Sequence, residues 1–412
     1  MGNLKVIAIL PLLFAIYGCS SSDSSTPAGG GGTPLATSGL FQDVEVKGMG
    51  YLTASLSGQT DQYGAYAYAP GEDITFSIGG VTLGTVAGAP GITPLDFGAA
   101  STNIARFIQS LDADNDPTNG IDLTAAGIAL AGTMIGSDAF QVDTATFEAN
   151  TEIDDALTTA GKTLIDEAIA LANLAAGTDS TFDAAELADK VFVLIDHVNN
   201  AVGLLAFEPS SVFSILSTDT TTVGEDGIGG DDIWSVDLSG VLTLEDIAGG
   251  STTVINRIGS STEAISVTVS EDGAPLLPAT FVFPEAVTDA DLGGDGSPIT
   301  SKTYDVVDQN GELVSVTFSF NGTYEASENN VVVETGTFEA NTPAPGVTTL
   351  IDDADQTNIT LMIVMDGDAT VVNSTATILL AVATLVGGTP TSPDLVFNEI
   401  GLGSVTLKST AP

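Results

Sequence analysis

The stretch "VSVTFSFNGTYEASENNVVVETGTFEAN", residues 314–341, decides the fold of the C-terminal half. Val314, Val316, Phe318 and Phe320 hold one parity, the period of two by which a strand turns one face to a core. Asn321-Gly322 follows at once, and such a pair accepts the positive φ that a tight hairpin turn demands. Asn310-Gly311 and Asp272-Gly273 repeat the signal upstream, and Trp234, Val236, Leu238, Leu242 and Leu244 again hold one parity. Successive strands joined by such turns predict an antiparallel β domain over residues 206–412, closed as a barrel or folded as a sandwich.

Further along, "NITLMIV" (358–364) and "STATILLAVATLVGG" (374–388) are apolar. The second is shorter than the roughly 20 residues of a membrane-spanning helix and is β-branched at its edges, so it reads as a buried strand pair. Together with residues 318–341, "NITLMIV" resembles the repetitive meander of lipocalin-like barrels. That resemblance implies an inner cavity for an apolar ligand, with Trp234, Phe318, Phe320 and Tyr324 as candidate ligand-binding residues. The string "TFEANT" occurs at 146–151 and again at 337–342, once ahead of helical sequence and once among strands, and is read as coincidence.

Upstream of the β domain the texture is helical, over residues 99–205. In "AGKTLIDEAIALANLAAG" (160–177), Leu164, Ala168 and Leu171 form an apolar stripe that Ile165, Ile169 and Ala172 widen. In "FDAAELADKVFVLIDHVNNAVGLL" (182–205), Leu187, Val191, Leu194 and Val198 recur at helical spacing. Asp183 with Glu186 three residues on predicts a capping box at the start of this second helix.

Residues 36–98 read as a small antiparallel β module, with aromatic and β-branched residues alternating between turns such as Tyr63-Gly64 and Pro70-Gly71-Glu72-Asp73. The strings Gly50-Tyr51-x-Thr53, Ser57-Gly58-x-Thr60-Asp61-x-x-Gly64-x-Tyr66-x-Tyr68-x-x-Gly71 and Phe76-Ser77-Ile78-Gly79-Gly80-Val81-x-Leu83-Gly84 carry a further resemblance. With "TPLDF" (93–97) and "NIARFIQSLDADNDPTNGI" (103–121), they resemble a module of surface lipoproteins and large adhesin-like proteins of marine gammaproteobacteria. The resemblance covers residues 40–205 and implies location and architecture, not a reaction.

The N-terminus fits that location. Lys5 precedes an apolar run from Val6 to Tyr17, long enough for an export-signal core and too short to span a bilayer. Ile16-Tyr17-Gly18-Cys19 resembles the lipobox of bacterial lipoproteins, with Tyr17 where a smaller side chain is usual. It implies removal of residues 1–18 and acylation, including palmitate, at Cys19, the only cysteine of the 412 residues. Each buried methylene contributes about 0.8 kcal/mol to such an anchor. Ser20 stands where inner-membrane lipoproteins often carry Asp, so the family rule points to the outer membrane. Residues 19–35, rich in Ser, Gly and Pro, read as a flexible tether.

Composition sets bounds. With 54 Asp plus Glu against 8 Lys plus Arg, the formal net charge is −46. Such a surface repels phosphate backbones, so nucleic acid is excluded as a partner. It suits a solvated, salt-tolerant exterior, and a share of the acids is available to divalent cations. A lone cysteine makes no internal disulfide.

The most pointed acidic cluster is "LDADNDPTNGID" (111–122). Asp112, Asp114 and Asp116 alternate as the first ligands of a calcium loop do, although Pro117 occupies the place of the turn glycine and Leu123 that of the last ligand. Structural calcium and a solvated loop capping the preceding helix are both open readings. "EDGIGGDD" (225–232) and "TDADLGGDG" (288–296) read as exposed turns. His197 is the only histidine, and its apolar neighbours place it as a helix histidine rather than a catalytic base. No nucleophile elbow, phosphate loop or zinc set occurs. The expectation is a mainly β chain with a helical middle: an outer-membrane lipoprotein, tethered through Cys19 and non-enzymatic, that binds a partner or surface. The alternatives are a carrier of an apolar ligand serving lipid or hydrocarbon uptake and, less favoured, a hydrolase working through paired carboxylates.

Overall fold

Described here, from a computed structural model, are residues 36–188, 190–198, 201–207, 213–217, 233–246, 250–284, 301–308, 311–319, 321–340, 346–366, 372–385 and 395–411. Cys19, the tether, Phe320 and the loops at 225–232 and 288–296 lie outside them. The chain is mainly β, 49% strand and 20% helix, with several antiparallel sheets.

The first unit begins with β1 (Thr37–Phe41), β2 (Val46–Lys47), β3 (Gly50–Leu52), β4 (Ser57–Gln59), β5 (Ala65–Tyr68), β6 (Asp73–Ile78), β7 (Val81–Ala87) and β8 (Gly91–Ile92). They form a β5-β1-β8 sheet and a β4-β3-β6-β7 sheet, while β2 pairs in parallel with β9 (Ile121–Asp122). Alternation along β6, where Ile74, Phe76 and Ile78 are buried, turns one face inward. A 3-10 segment, Pro94–Ala100, starts with Thr93 and Asp96 in a reciprocal capping box and leads into α1 (Ser101–Ser110). Next come α2 (Thr124–Ala129), α3 (Thr144–Glu148), α4 (Thr151–Thr159), α5 (Glu167–Gly177) and α6 (Ala184–Leu187). One hydrophobic core runs from Phe41 through α1 to Leu157, so the β module and the first helices are packed as one body.

α1 is buried along most of its length, and its polar side chains bond backbone that has no ladder partner. Asn103 Nδ2 donates to the carbonyls of Phe140 and Val142, and Arg106 donates to that of Ile165 and pairs with Glu148 at 2.9 Å. Burying such groups costs several kcal/mol unless they are satisfied; Asn103 Nδ2 and Arg106 Nε and Nη2 are, while among the described residues Asn103 Oδ1 accepts no hydrogen bond and Arg106 Nη1 has only the Glu148 ion pair, so α1 acts as a polar spine for the loops around it.

Two sequence expectations are corrected here. The helix predicted from residue 183 stops at Leu187, although its Asp183–Glu186 capping box is present. The remainder forms β10 (Lys190–Asp196) and β11 (Ala201–Phe207). Val191 and Val193 pack on one side of β10 and Phe192 on the other, and a strand buried on both faces loses the period of two, which lets it pass for a helix. In α5 the buried residues are Ala170, Leu174 and Gly177, while Ile169 and Leu171 of the predicted stripe are exposed and residues 161–166 precede the helix. Small residues set this orientation: a Cβ on Gly177 would lie 2.4 Å from the Asp43 carbonyl.

After β10 and β11 come β12 (Phe213–Ser217), β13 (Ile233–Val236), β14 (Leu242–Asp246), β15 (Ser251–Ser260), β16 (Ala264–Glu271) and β17 (Leu277–Val282). Their spatial order is β12-β11-β10-β17-β16-β15-β14-β13, an antiparallel sheet in which β12 and β13 are the two end strands among the described residues. Its inner face holds Phe192, Phe207, Trp234, Leu242, Val267 and Phe281, with Phe182 and Leu187 beside α6. Leu238 does not continue the parity of Trp234 and Val236. It sits fully exposed in a turn that Asp237 Oδ1 holds by accepting from the amides of Ser239 and Val241.

The last unit is a closed eight-stranded barrel of β18 (Ser301–Val307), β19 (Leu313–Phe318), β20 (Thr323–Glu328), β21 (Val331–Ala340), β22 (Thr348–Asp352), β23 (Asn358–Asp366), β24 (Thr375–Leu385) and β25 (Leu395–Ala411). Neighbours in sequence are neighbours in space, and β25 pairs back to β18. Asp272 and Gly273 have φ 47° and 77°, as the hairpin reading requires, and Asn329 and Asn330 form a further such turn at φ 50° and 63°. Along β23 and β24 the even residues Met362, Val364, Ala376 and Ile378 fill the barrel. The odd residues Leu361, Ile363, Leu379 and Ala381 pack outward against Val191, Val193 and Leu204. The described part of the apolar run, residues 374–385, is therefore one strand with two buried faces, not a strand pair.

Candidate functional site

A cavity of about 250 Å³ opens where three units meet. The Asp61–Tyr63 turn comes from the first unit, Ile195, Asp196, His197, Ala201 and Val202 from the β10–β11 connection, and Met365 from the barrel. Asp61 Oδ1 accepts from the amides of Tyr63 and Ala65, both at 2.9 Å, which fixes the turn and leaves Oδ2 3.9 Å from His197 Nδ1. His197 is buried; its Nε2 lies 2.8 Å from Thr280 Oγ1 and its carbonyl accepts from Ser38 Oγ at 2.7 Å. The Tyr63 ring lies 5.7 Å from the imidazole. Burial lowers the His197 pKa against the opposing pull of Asp61 and Asp196, and burial raises the Tyr63 phenol to about 12. The imidazole is therefore held neutral at pH 7.

This arrangement supplies a fixed ring rather than a nucleophile. Thr280 is fully buried and does not line the cavity, and Asp61 Oδ2 lies beyond hydrogen-bond reach of Nδ1. A triad needs a nucleophile that meets substrate and a base oriented by a bonded carboxylate. The sequence singled out His197 but placed it on a helix; it lies in the turn after β10.

Next to the cavity, the turn Gln42–Glu45 is buried between the first unit and the β10–β17 sheet, and no local pattern in the sequence signals it. Asp43 and Glu45 are 0% and 4% exposed. Gln109 Nε2 donates to both Asp43 carboxylate oxygens, and Ser266 Oγ donates to Glu45 Oε1 at 3.3 Å. Val44 has φ 141°, a strained conformation for a β-branched residue. Burial raises both carboxyls, Glu45 to about 7, with Glu263 raising it further against bonds from Ser261 and Ser266 that lower it.

The acidic loop takes a different form from a calcium loop. Asp116 Oδ1 accepts from Thr118 and starts a 3-10 turn, Asp114 accepts from the Asp116 amide and from Asn119 Nδ2, and Asp112 Oδ1 accepts from the Asp122 amide while its buried Oδ2 has no partner among the described residues. Burial and then Asp114 push Asp112 up to about 6, and Asp112 and the Asp116 amide hold Asp114 down to about 2. Lys162 Nζ donates to the carbonyls of Asp112 and Ala113 and to Asn115 Oδ1, taking the place among the loop oxygens that a cation would fill. Among the described residues no three acidic, His or Cys side chains gather as a metal site.

The aromatic candidates separate. Trp234 belongs to the sheet of β10–β17, where it packs edge-on to Phe207 at 5.3 Å. Phe318 and Tyr324 lie inside the closed barrel, and Phe318 packs edge-on to Phe338 at 4.9 Å and Tyr304 at 5.9 Å. Tyr324 Oη donates to Glu334, while the buried Tyr304 hydroxyl has no partner. At the barrel rim bearing the 328–331 hairpin, Leu313, Val331, Val332 and Val333 are 54%, 64%, 49% and 51% exposed. Comparison with protein-family models, curated proteins and solved structures finds no match.

Proposed function

We propose that this chain is an outer-membrane lipoprotein, anchored through Cys19, that acts as a non-enzymatic binding or adhesion module through the far rim of its barrel. The observation that carries the reading is the position of the exposed apolar side chains. β1 enters the described fold beside His197, through the bond from Ser38, and Met365 lines the same cavity near the end of β23. Leu313 and Val331–Val333 lie toward the opposite rim, where β23 begins at Asn358. Nine strand residues at about 3.3 Å each separate the two ends by roughly 30 Å. A tether at β1 thus attaches at the end of the fold opposite the valine hairpin, which leaves the hairpin free to meet a partner. Consecutive exposed valines flanked by Glu328 before the hairpin, with Glu312 beside Leu313, suit a partner with an apolar contact and a basic rim.

The test has two arms. Cys19→Ser releases the protein from membranes, and unchanged membrane retention refutes the anchor. The triple variant V331T/V332T/V333T binds an octyl-coated sensor less than the parent protein while both ignore a hydroxyl-coated one; equal binding to octyl refutes the rim. The partnerless Tyr304 hydroxyl favours a second reading, a barrel that carries an apolar ligand with one polar group. The edge-on ring contacts that fill the lumen around Phe318 place it second.

A further inference from the structure

We infer that the three-unit cavity at His197 is a binding site for a small organic cation of the alkylammonium class. The charge of its wall selects the class. Asp61 and Asp196 are its ionisable carboxylates, and among the described residues no Lys or Arg lines it, so an anion finds no counter-charge there. The other titratable liners, His197 and Tyr63, are both neutral at pH 7 because burial disfavours their charged forms. A quaternary or primary ammonium between the two carboxylates also meets the Tyr63 ring, and an aromatic face attracts a cation. Ile195, Val202 and Met365 give an apolar wall for the alkyl groups.

Size and chemistry argue against the competitors. Ligand clefts commonly run from about 300 to 1,000 Å³, so this cavity fits an occupant of a few heavy atoms rather than a lipid or peptide. A transition-metal ion needs three or more converging side chains, and none converge among the described residues. A hydrated sodium ion gains nothing from the apolar wall. Because the liners come from the first unit, the β10–β11 connection and the barrel, the occupant bridges all three. The site is separate from the valine rim and stands whether or not that rim binds a partner.

The only histidine in the chain makes the test direct. Proton NMR of the full mature protein follows the single His197 imidazole resonance during titration with tetramethylammonium chloride, with sodium chloride and sodium acetate as matched controls. The expected result is a saturable shift with tetramethylammonium alone, weakened about tenfold in D61N/D196N by loss of both charges. A linear shift, one that sodium chloride reproduces, or one unchanged in the double variant overturns the proposal. Asp61→Asn alone is the second variant: its amide oxygen still accepts from the Tyr63 amide, so the turn is retained while the charge is removed. An unweakened response there, with the turn intact, also counts against the site.

Discussion

Replacing Glu45 by Gln should make the protein more stable at pH 8 than at pH 4.5 relative to the parent chain, through the loss of one ionisation. The carboxyl is 4% exposed, and its pKa rises from 4.5 to about 7, chiefly by burial. Below pH 4.5 Glu45 is protonated both folded and unfolded, so its ionisation contributes nothing to the balance. Between 4.5 and 7 the unfolded chain releases the proton and the folded chain keeps it, so stability falls as pH rises. Above 7 the full penalty applies, and at about 1.4 kcal/mol per pH unit the rise amounts to roughly 3 kcal/mol. Gln has the shape of the protonated acid and an oxygen that still accepts from Ser266, so the variant escapes the penalty without losing the bond. Urea unfolding of both proteins at half-unit steps from pH 4 to 8.5 gives the difference directly. It should be near zero at the acid end and grow to about 3 kcal/mol in favour of Gln by pH 8. Parallel curves would refute the reasoning, since they mean that Glu45 ionises in the folded state as it does in water.

Two other outcomes are expected. Gly177→Ala, which in an open helix adds about 1 kcal/mol, should instead destabilise by about 1 to 3 kcal/mol, because the new Cβ meets the Asp43 carbonyl; thermal melting decides the sign. Chelation by EDTA should leave both the melting temperature and the native mass spectrum of the purified mature protein unchanged, since Lys162 already fills the Asp112–Asn115 oxygens; a mass loss of one calcium would overturn that account.

The closed barrel was legible because its information is local. Asn-Gly and Asp-Gly turns and one parity per strand suffice for a meander, and neighbours in sequence pair throughout the barrel. β10 and β11 were hidden for the opposite reason: their two faces serve different cores, so Val191 to Ile195 show no alternation. The helical stripe of α5 was misread because its buried side is chosen by small residues at a distant turn, which hydrophobicity does not weight. The Gln42–Glu45 turn is the extreme case. Val44 and Val46 share a parity that should put Glu45 in water, and contacts more than 200 residues away in sequence, such as Ser266, bury it instead. The cavity follows the same rule: its histidine could be singled out, but the three segments that meet there are brought together only by the packing of whole units.

The doubly buried wall of β23 and β24 sets an order of assembly. On any route by which the chain appears from its N-terminal side, the sheet of β10–β17 is complete while Val191, Val193 and Leu204 still face water. Their cover cannot be delivered in parts, because the barrel closes only when β25 reaches both β24 and β18. A half-made molecule therefore carries an adhesive face for as long as the residues from Val282 to Ala411 take to arrive. A chain cut short before β25 should then be lost to aggregation rather than persist as a smaller folded protein.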